Sequence, residues 1–370
     1  LDYLDSLVFS KAYAASNYGG NETVTTMTSG DTQTINNTEH GTIITQSGGT
    51  QTINNGGTGT VSTMSSGGTQ TISSGGTGTV STMSSGTQTI NDSGSGTVSM
   101  MSHGGEQTIS SGGSGTVNTM NAGVQHISSG GSGTVNTMRD GRQSISSGGT
   151  GTVNTLEYGV QSISNGGSGT VSTLSGGFQF ISSGGSGTVT TMSRGGQSIY
   201  RGGSGTVNTI SDGWQDIFDG GTGTVETMIG GTQNVGQSHY GGGIGTVETM
   251  SGGTQNISSG GAGTISTMIS GYQNIFSGGS GIVSTISGGT QTISGGSGTV
   301  NTMSSGGWQE ISGGSGTVST MIGGYQDILN GSGTVGTMSS GYQLINDSGS
   351  GTISTMIGGT QYILDGGSGT

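Results

Sequence analysis

Apolar and polar positions alternate along this chain in a unit that repeats almost from end to end. In Thr60–Thr79, TVSTMSSGGTQTISSGGTGT, the apolar residues are Val61, Met64 and Ile72, set among Ser, Thr and Gly. The valine of Gly-Thr-Val, or an isoleucine in its place, recurs nineteen times from Val24, Ile43, Val61 and Val80 to Ile353. The steps are 17 to 19 residues, with one of 22 between Val225 and Val247. Two residues after this anchor stands a threonine, except at Met100, and three after it Met, Leu or Ile, except at Gln46. A glutamine follows eight or nine residues after the anchor, and two beyond it an isoleucine, replaced once by Val235. Each unit thus holds two β-branched, alternating runs, T-V-S-T-M and T-Q-T-I-S, separated by Gly and Ser. Such runs read as strands and such separators as tight turns. No window shows a 3.6-residue period, and recurrent Gly at about 1 kcal/mol each disfavours helix.

A fixed period near 18 predicts an all-β fold, a single-chain β-solenoid of about 19 coils with two short strands per coil. Equivalent residues of successive coils stack at about 4.8 Å, which gives a rod of roughly 90 Å. The residue after the anchor and those flanking the glutamine vary widely, so they face solvent. The anchor, the threonine two on, the glutamine and the isoleucine are expected inside, with a bend or bulge after the threonine turning the methionine inward. Val61, Gln70, Ile72, Val80, Gln88 and Ile90 exemplify this core ladder. A buried amide column is tolerable when each amide pairs with the next, since an unpaired one costs ~1–3 kcal/mol. The alternative places the glutamine half-exposed at a coil corner.

Composition sharpens this picture. The chain of 370 residues has 87 glycines, no cysteine, no proline and only 26% hydrophobic residues. In a globular chain these numbers suggest disorder. Here the few apolar residues occupy fixed positions, and a solenoid whose coils touch only their neighbours needs no more. A net charge of −13 with five basic residues argues against nucleic acid and anionic membrane surfaces as partners. No apolar stretch is long enough for a transmembrane helix, so membrane insertion is not expected.

Residues 1–20 stand outside the repeat and 21–370 form it. Leu4, Leu7, Val8 and Ala12 suit an amphipathic helix, read as an N-terminal cap or docking segment. Ala12-Tyr13-Ala14 also fits the tail of a signal peptide, against which stand Asp2, Asp5 and the lack of a basic start. The long step contains 236–243, GQSHYGGG, expected to bulge as a loop with His239 as a solvated residue. The chain stops at Thr370 where another anchor would follow, an open coil able to template strand addition.

The outward positions change along the chain. Early units carry Thr-Gln-Thr. Later the position before the glutamine becomes Phe178, Trp214, Tyr272, Trp308, Tyr325 and Tyr342, a candidate self-association stripe. Tyr200, Phe218, Phe276, Leu329 and Leu364 follow the core isoleucine, and Ile229, Ile269, Ile322 and Ile357 follow the methionine. Drift of a degenerate repeat, with corner residues packing on one another, is the alternative. The four histidines occupy unrelated repeat positions, and the aspartates do not align as calcium-binding rolls require. The Gly-rich segments precede no helix and are turns rather than phosphate loops. No catalytic, cofactor-binding or metal-binding residues are expected, and the chain is not read as an enzyme. Outward threonine pairs can match an ice lattice, but the consecutive run of Thr-Gln-Thr pairs spans only about four units. Curli-like repeats share the length but carry further Asn and Gln positions.

The string S-G-G-T-Q-x-I-x-S-G-G-T-G-T-V-S-T-M at this period resembles the passenger repeats of self-associating autotransporter adhesins of the AIDA and TibA class, over roughly residues 21–370. The resemblance implies a β-helix displayed outside a bacterial cell, mediating aggregation, biofilm growth and adhesion to host or bacterial surfaces. It also implies O-linked heptose on exposed hydroxyls, with Ser62, Ser81 and Ser172 and the turn serine Ser73 as matching acceptors. Copies of the chain itself are the expected partner, side by side. A head-to-tail filament joining residues 1–20 to the open end near Thr370 is the second expectation.

Overall fold

A computed structural model describes residues 15–236 and 241–370. It is an all-β, single-chain solenoid in which each coil carries a longer and a shorter strand. In one coil these are Thr58–Met64, TGTVSTM, and Thr69–Ile72, TQTI. Every ladder between strands is parallel and joins a strand to its equivalent one coil on: Val61 to Val80, Gln70 to Gln88, Ile72 to Ile90. Two walls result, closed by a first corner after the methionine and a second after the isoleucine. From Gly307 to Ile345 the corners join the ladder too, so strand pairing runs without a break.

The core lies between the walls. Val and Met columns form one continuous apolar cluster and the isoleucine column another, all essentially inaccessible to water. Each fully buried Val, Ile or Met is worth about 1.5–3 kcal/mol, so three such side chains per coil give the thin core its hold. Inward positions also include the glycine of Gly-Thr-Val. A Cβ on Gly59 would lie 2.6 Å from Gln51 Oε1 and collide with Ile53 Cδ1. This glycine makes room for the amide and isoleucine of the same core layer, a role the sequence reading assigned only to turns. The second corner is a true turn: Gly76 N–H donates to Ser73 O at 2.9 Å. Its central residues Ser74 and Gly75 both have positive φ, 49° and 74°, as type I′ turns require.

One expectation is corrected. The threonine two after the anchor faces outward: Thr63 is exposed while Val61 and Met64 are buried. The ladder pairs Val61 with Val80 and Thr63 with Thr82 but skips Ser62. The bulge therefore precedes the threonine, where it was expected to follow it. Two consecutive residues, Ser62 and Thr63, then face away from the core, and the methionine regains the inner side.

The cap or docking segment expected over 1–20 lies outside the described residues up to residue 14. The remainder is not helical. Asn17–Tyr18 is a short strand paired in parallel with Thr32 and Gln33, and Tyr18 packs against the apolar core. Asp31 anchors this segment by accepting from Ser16 N–H and Thr28 N–H, each at 2.8 Å; these bonds hold its carboxyl below the ordinary range. Of the loop expected at 236–243, residues 237–240, including His239, lie outside the described residues. The insertion falls at a second corner, and register resumes at once, Ile244 pairing with Thr222 and Gln255 with Gln233.

The inward glycine gives a direct test. Gly115→Ala places a methyl 2.7 Å from Gln107 Oε1 and against Ile109 Cδ1. A loss of about 1–3 kcal/mol is expected, read as a lower thermal midpoint by circular dichroism. Alanine at the outward Ser114 should leave the midpoint unchanged.

Candidate functional site

The chain buries one polar column and exposes several apolar ones, and these are its candidate functional features. The buried column is the glutamine ladder. Gln88 Nε2 donates to Gln70 Oε1 at 2.7 Å and Gln70 Nε2 to Gln51 Oε1 at 2.7 Å. The chain of bonds runs from Gln33 to Gln361, where Gln361 donates to Gln343 at 2.7 Å. The second amide hydrogen reaches a wall carbonyl in most coils, as Gln161 does with Thr170 O at 3.3 Å. Val61, Gln70, Ile72, Val80, Gln88 and Ile90 are all buried in these columns. Gln46 breaks the pattern by standing where methionine belongs. Its Nε2 donates to Thr69 O at 2.9 Å and Gly49 O at 3.1 Å, but its Oε1 is buried without a partner.

The six stripe residues share the outward column bordering the first corner, and the structure divides them. Trp308, Tyr325 and Tyr342 stack on successive coils with ring centroids 5.4 and 5.1 Å apart. Tyr362, one position past its glutamine and not foreseen in the stripe, extends the stack at 6.3 Å. Phe178 meets Trp214 at 5.9 Å across the intervening coil. The indole lies over Gly196, where any Cβ would collide with it. Phe180 joins this group, 6.0 Å from Phe178. Tyr272 stands between Thr254 and Thr290 and is 55% exposed. Ile229, Ile269 and Ile322, in the same corner, are each more than half exposed. The grooves beside these columns are shallow; one of about 310 Å³ is lined by Gly324, Tyr325, Gly341, Tyr342 and Thr360. Such geometry suits contact with an extended surface rather than capture of a small molecule.

A second stack stands at the second corner: Tyr200 and Phe218 lie 5.7 Å apart and nearly coplanar in orientation, with the Arg201 guanidinium 5.9 Å from the Tyr200 ring. Of the candidate acceptor hydroxyls, Ser81 is exposed and Ser62, Ser73 and Ser172 are half-buried. Ser73 Oγ donates to Asn54 Oδ1 at 2.7 Å. Among the described residues, no cluster of three His, Cys, Asp or Glu is placed to hold a metal ion.

No protein-family model and no curated protein matches the chain. Among solved structures, it is similar to the crystal structure of a TibA fragment hyper-glycosylated by TibC catalysis. The two are 25% identical over 96% of this chain and 100% of that one, with a TM-score of 0.31. At that score the likeness transfers no residue's role.

A shorter polar ladder runs outside the glutamines. Asn274 donates to Asn256 at 3.0 Å, Asn256 to Asn234 at 2.9 Å, and Asn234 to Asp216 at 2.7 Å. Burial raises the Asp216 carboxyl above its ordinary range, opposed by the bond from Asn234. A raised folded-state value means stability present at low pH and lost as pH rises through it. Asp216→Asn should therefore stabilise the rod at pH 7, with the gain fading as pH falls through the aspartate's raised folded-state value and absent below about pH 4, where both states bind the proton. Melting curves at the two pH values check this.

The glutamine ladder yields a paired test by denaturant unfolding. Gln161→Leu leaves Gln143 Oε1 without its donor and should cost about 1–3 kcal/mol. Gln46→Met removes the unpaired oxygen and should stabilise by about 1 kcal/mol or more.

Proposed function

We propose that this chain is an extracellular adhesive solenoid, displayed on a bacterial surface, that works by side-by-side association of rods and does no catalysis. The observation that carries the reading is the alignment of exposed aromatic and aliphatic side chains in columns at the first corner, dense from Phe178 onward, with fewer such side chains at the second corner and on the walls. Hydrophobic side chains scattered singly over a surface need no explanation, whereas a contiguous row marks a contact. The ring stacks are ordered by the coil spacing, so each presents a fixed row of ring edges to a partner. The repeat motif, resembling adhesin passengers, supports the same reading. Covalent sugar on Ser62, Ser73, Ser81 or Ser172 belongs to this proposal and is read directly by intact mass of the chain from its native source.

Replacing Trp214, Tyr272, Trp308 and Tyr325 together by Ser should abolish clumping of cells displaying the chain, with the melting temperature little changed. Clumping at the wild-type rate would contradict the reading.

A further inference from the structure

Charge is segregated along the rod. All four arginines lie between residues 139 and 201, whereas residues 202–370 hold nine carboxylates and no Lys or Arg. Arg139 pairs with Glu157 and Arg201 with Asp219, each at 3.7 Å. Arg142 and Arg194 are exposed and, among the described residues, have no ion-pair partner. Both stand at the first corner, the edge that carries the apolar columns. Arg142 occupies the stripe column itself, flanked by Val124 and Val160.

The acidic half presents the counterparts beside that edge, on the shorter-strand wall. Asp327 lies two residues after Tyr325, beside Glu310 in the preceding coil of its column; it accepts from Asn346 Nδ2 at 3.1 Å, but the two carboxylates adjoin without a cation. Like charges stacked on neighbouring strands oppose each other. The spacing of these groups is symmetric. Arg142 lies five coils before Ile229 and Tyr325 with Asp327 five coils after it. Tyr158, 75% exposed, lies four coils before and Trp308 four after. Arg194 lies two before and Tyr272 two after.

We infer that a second copy of this chain packs antiparallel along the first corner, about a two-fold axis at the coil of Ile229. This rests on the self-association reading above and specifies its geometry. An isologous interface needs residue i against j and j against i, and this register satisfies it. Arg142 meets Asp327 and Glu310, Tyr158 meets Trp308, and Arg194 meets the Tyr272 ring. Tyr272 has threonines as column neighbours, so its ring face is open to a guanidinium. Ile229 meets its own copy on the axis. The overlap spans eleven coils, about 50 Å, by a contact width of about 10 Å. That covers about 500 Å² on each copy, near the ~1,000 Å² total at which specific interfaces begin. So modest an area makes the charge pairs decisive. The inserted residues fall at the opposite corner.

Sedimentation velocity on the full chain tests this, since charge reversal separates the registers. Arg142→Glu and Asp327→Lys should each weaken self-association at least about tenfold, while an equimolar mixture of the two regains wild-type affinity, because each mixed contact then pairs opposite charges. Arg142 is exposed, so Arg142→Glu should melt as wild type does; Asp327 accepts from Asn346 Nδ2 at 3.1 Å, so Asp327→Lys is compared at a temperature where its own melting curve shows it folded. Arg194→Glu gives a second weakening variant should either fail to fold, and Arg201→Glu, at the other corner, should leave association unchanged. A wild-type chain that stays monomeric overturns the self-association reading and this inference with it. A wild-type dimer indifferent to Arg142→Glu and Arg194→Glu, or a mixture that stays dissociated, overturns the antiparallel register alone.

Discussion

The buried amide-to-amide hydrogen bond between one coil's glutamine and the next is the constraint on which the rest depends. It is directional, each Nε2 donating to the oxygen of the preceding coil from Gln51 back to Gln33 and onward to Gln361. A coil shifted by one residue would place the glutamine outside and an exposed residue inside, leaving two neighbouring amides unpaired. Apolar side chains alone set that register weakly, because a thin core of Val, Ile and Met tolerates sliding. In a low-dielectric interior the amide chain is strengthened by its own polarisation, and any gap in it is costly. The ladder therefore fixes which residues stack, and stacking fixes every outward column.

From this follows how so little apolar content makes a folded chain. Each coil contributes one Val, one Met and one Ile to columns already begun by its neighbour, and glycine appears where the amide and isoleucine need space. Stability accumulates coil by coil through nearest-neighbour contacts. A defect such as Gln46 is local: the ladder passes it by, since it occupies the methionine column and leaves only its own oxygen unpaired. The 22-residue step is absorbed in the same manner, because the insertion enters at a corner while Gln255 still donates to Gln233 at 2.6 Å.

The repeat made the fold class, the coil count and the identity of the core columns legible, because period and within-chain tolerance report directly on stacking and exposure. The threonine after the anchor misled. Strict alternation from Val61 puts Thr63 inside, and only the skipped Ser62 in the ladder shows that the chain resets its pleat before the threonine. The same reset explains the methionine, whose burial alternation alone could not give. The glycine of Gly-Thr-Val read as part of a tight turn when its role is space. On the outer surface the column before the glutamine was legible, but its internal order was not. Trp214 reaches Phe178 because Gly196 leaves the way open, and Tyr362 enters the stack from the other side of its glutamine. Such contacts depend on side-chain reach across coils, which spacing in sequence does not encode.

The rod's uniformity permits one decisive distance measurement. The chain has no cysteine, so spin labels can be placed in pairs at outward positions of one column. Labels at Ser81 and Asn208, seven coils apart, should lie about 34 Å from each other, and labels at Ser81 and Ser284, eleven coils apart, about 53 Å, a rise of about 4.8 Å per coil. Pulsed electron spin resonance giving two distances in the ratio of the coil counts confirms one circuit per repeat with glutamine on glutamine. Equal distances, or a shorter one for the more remote pair, would contradict it.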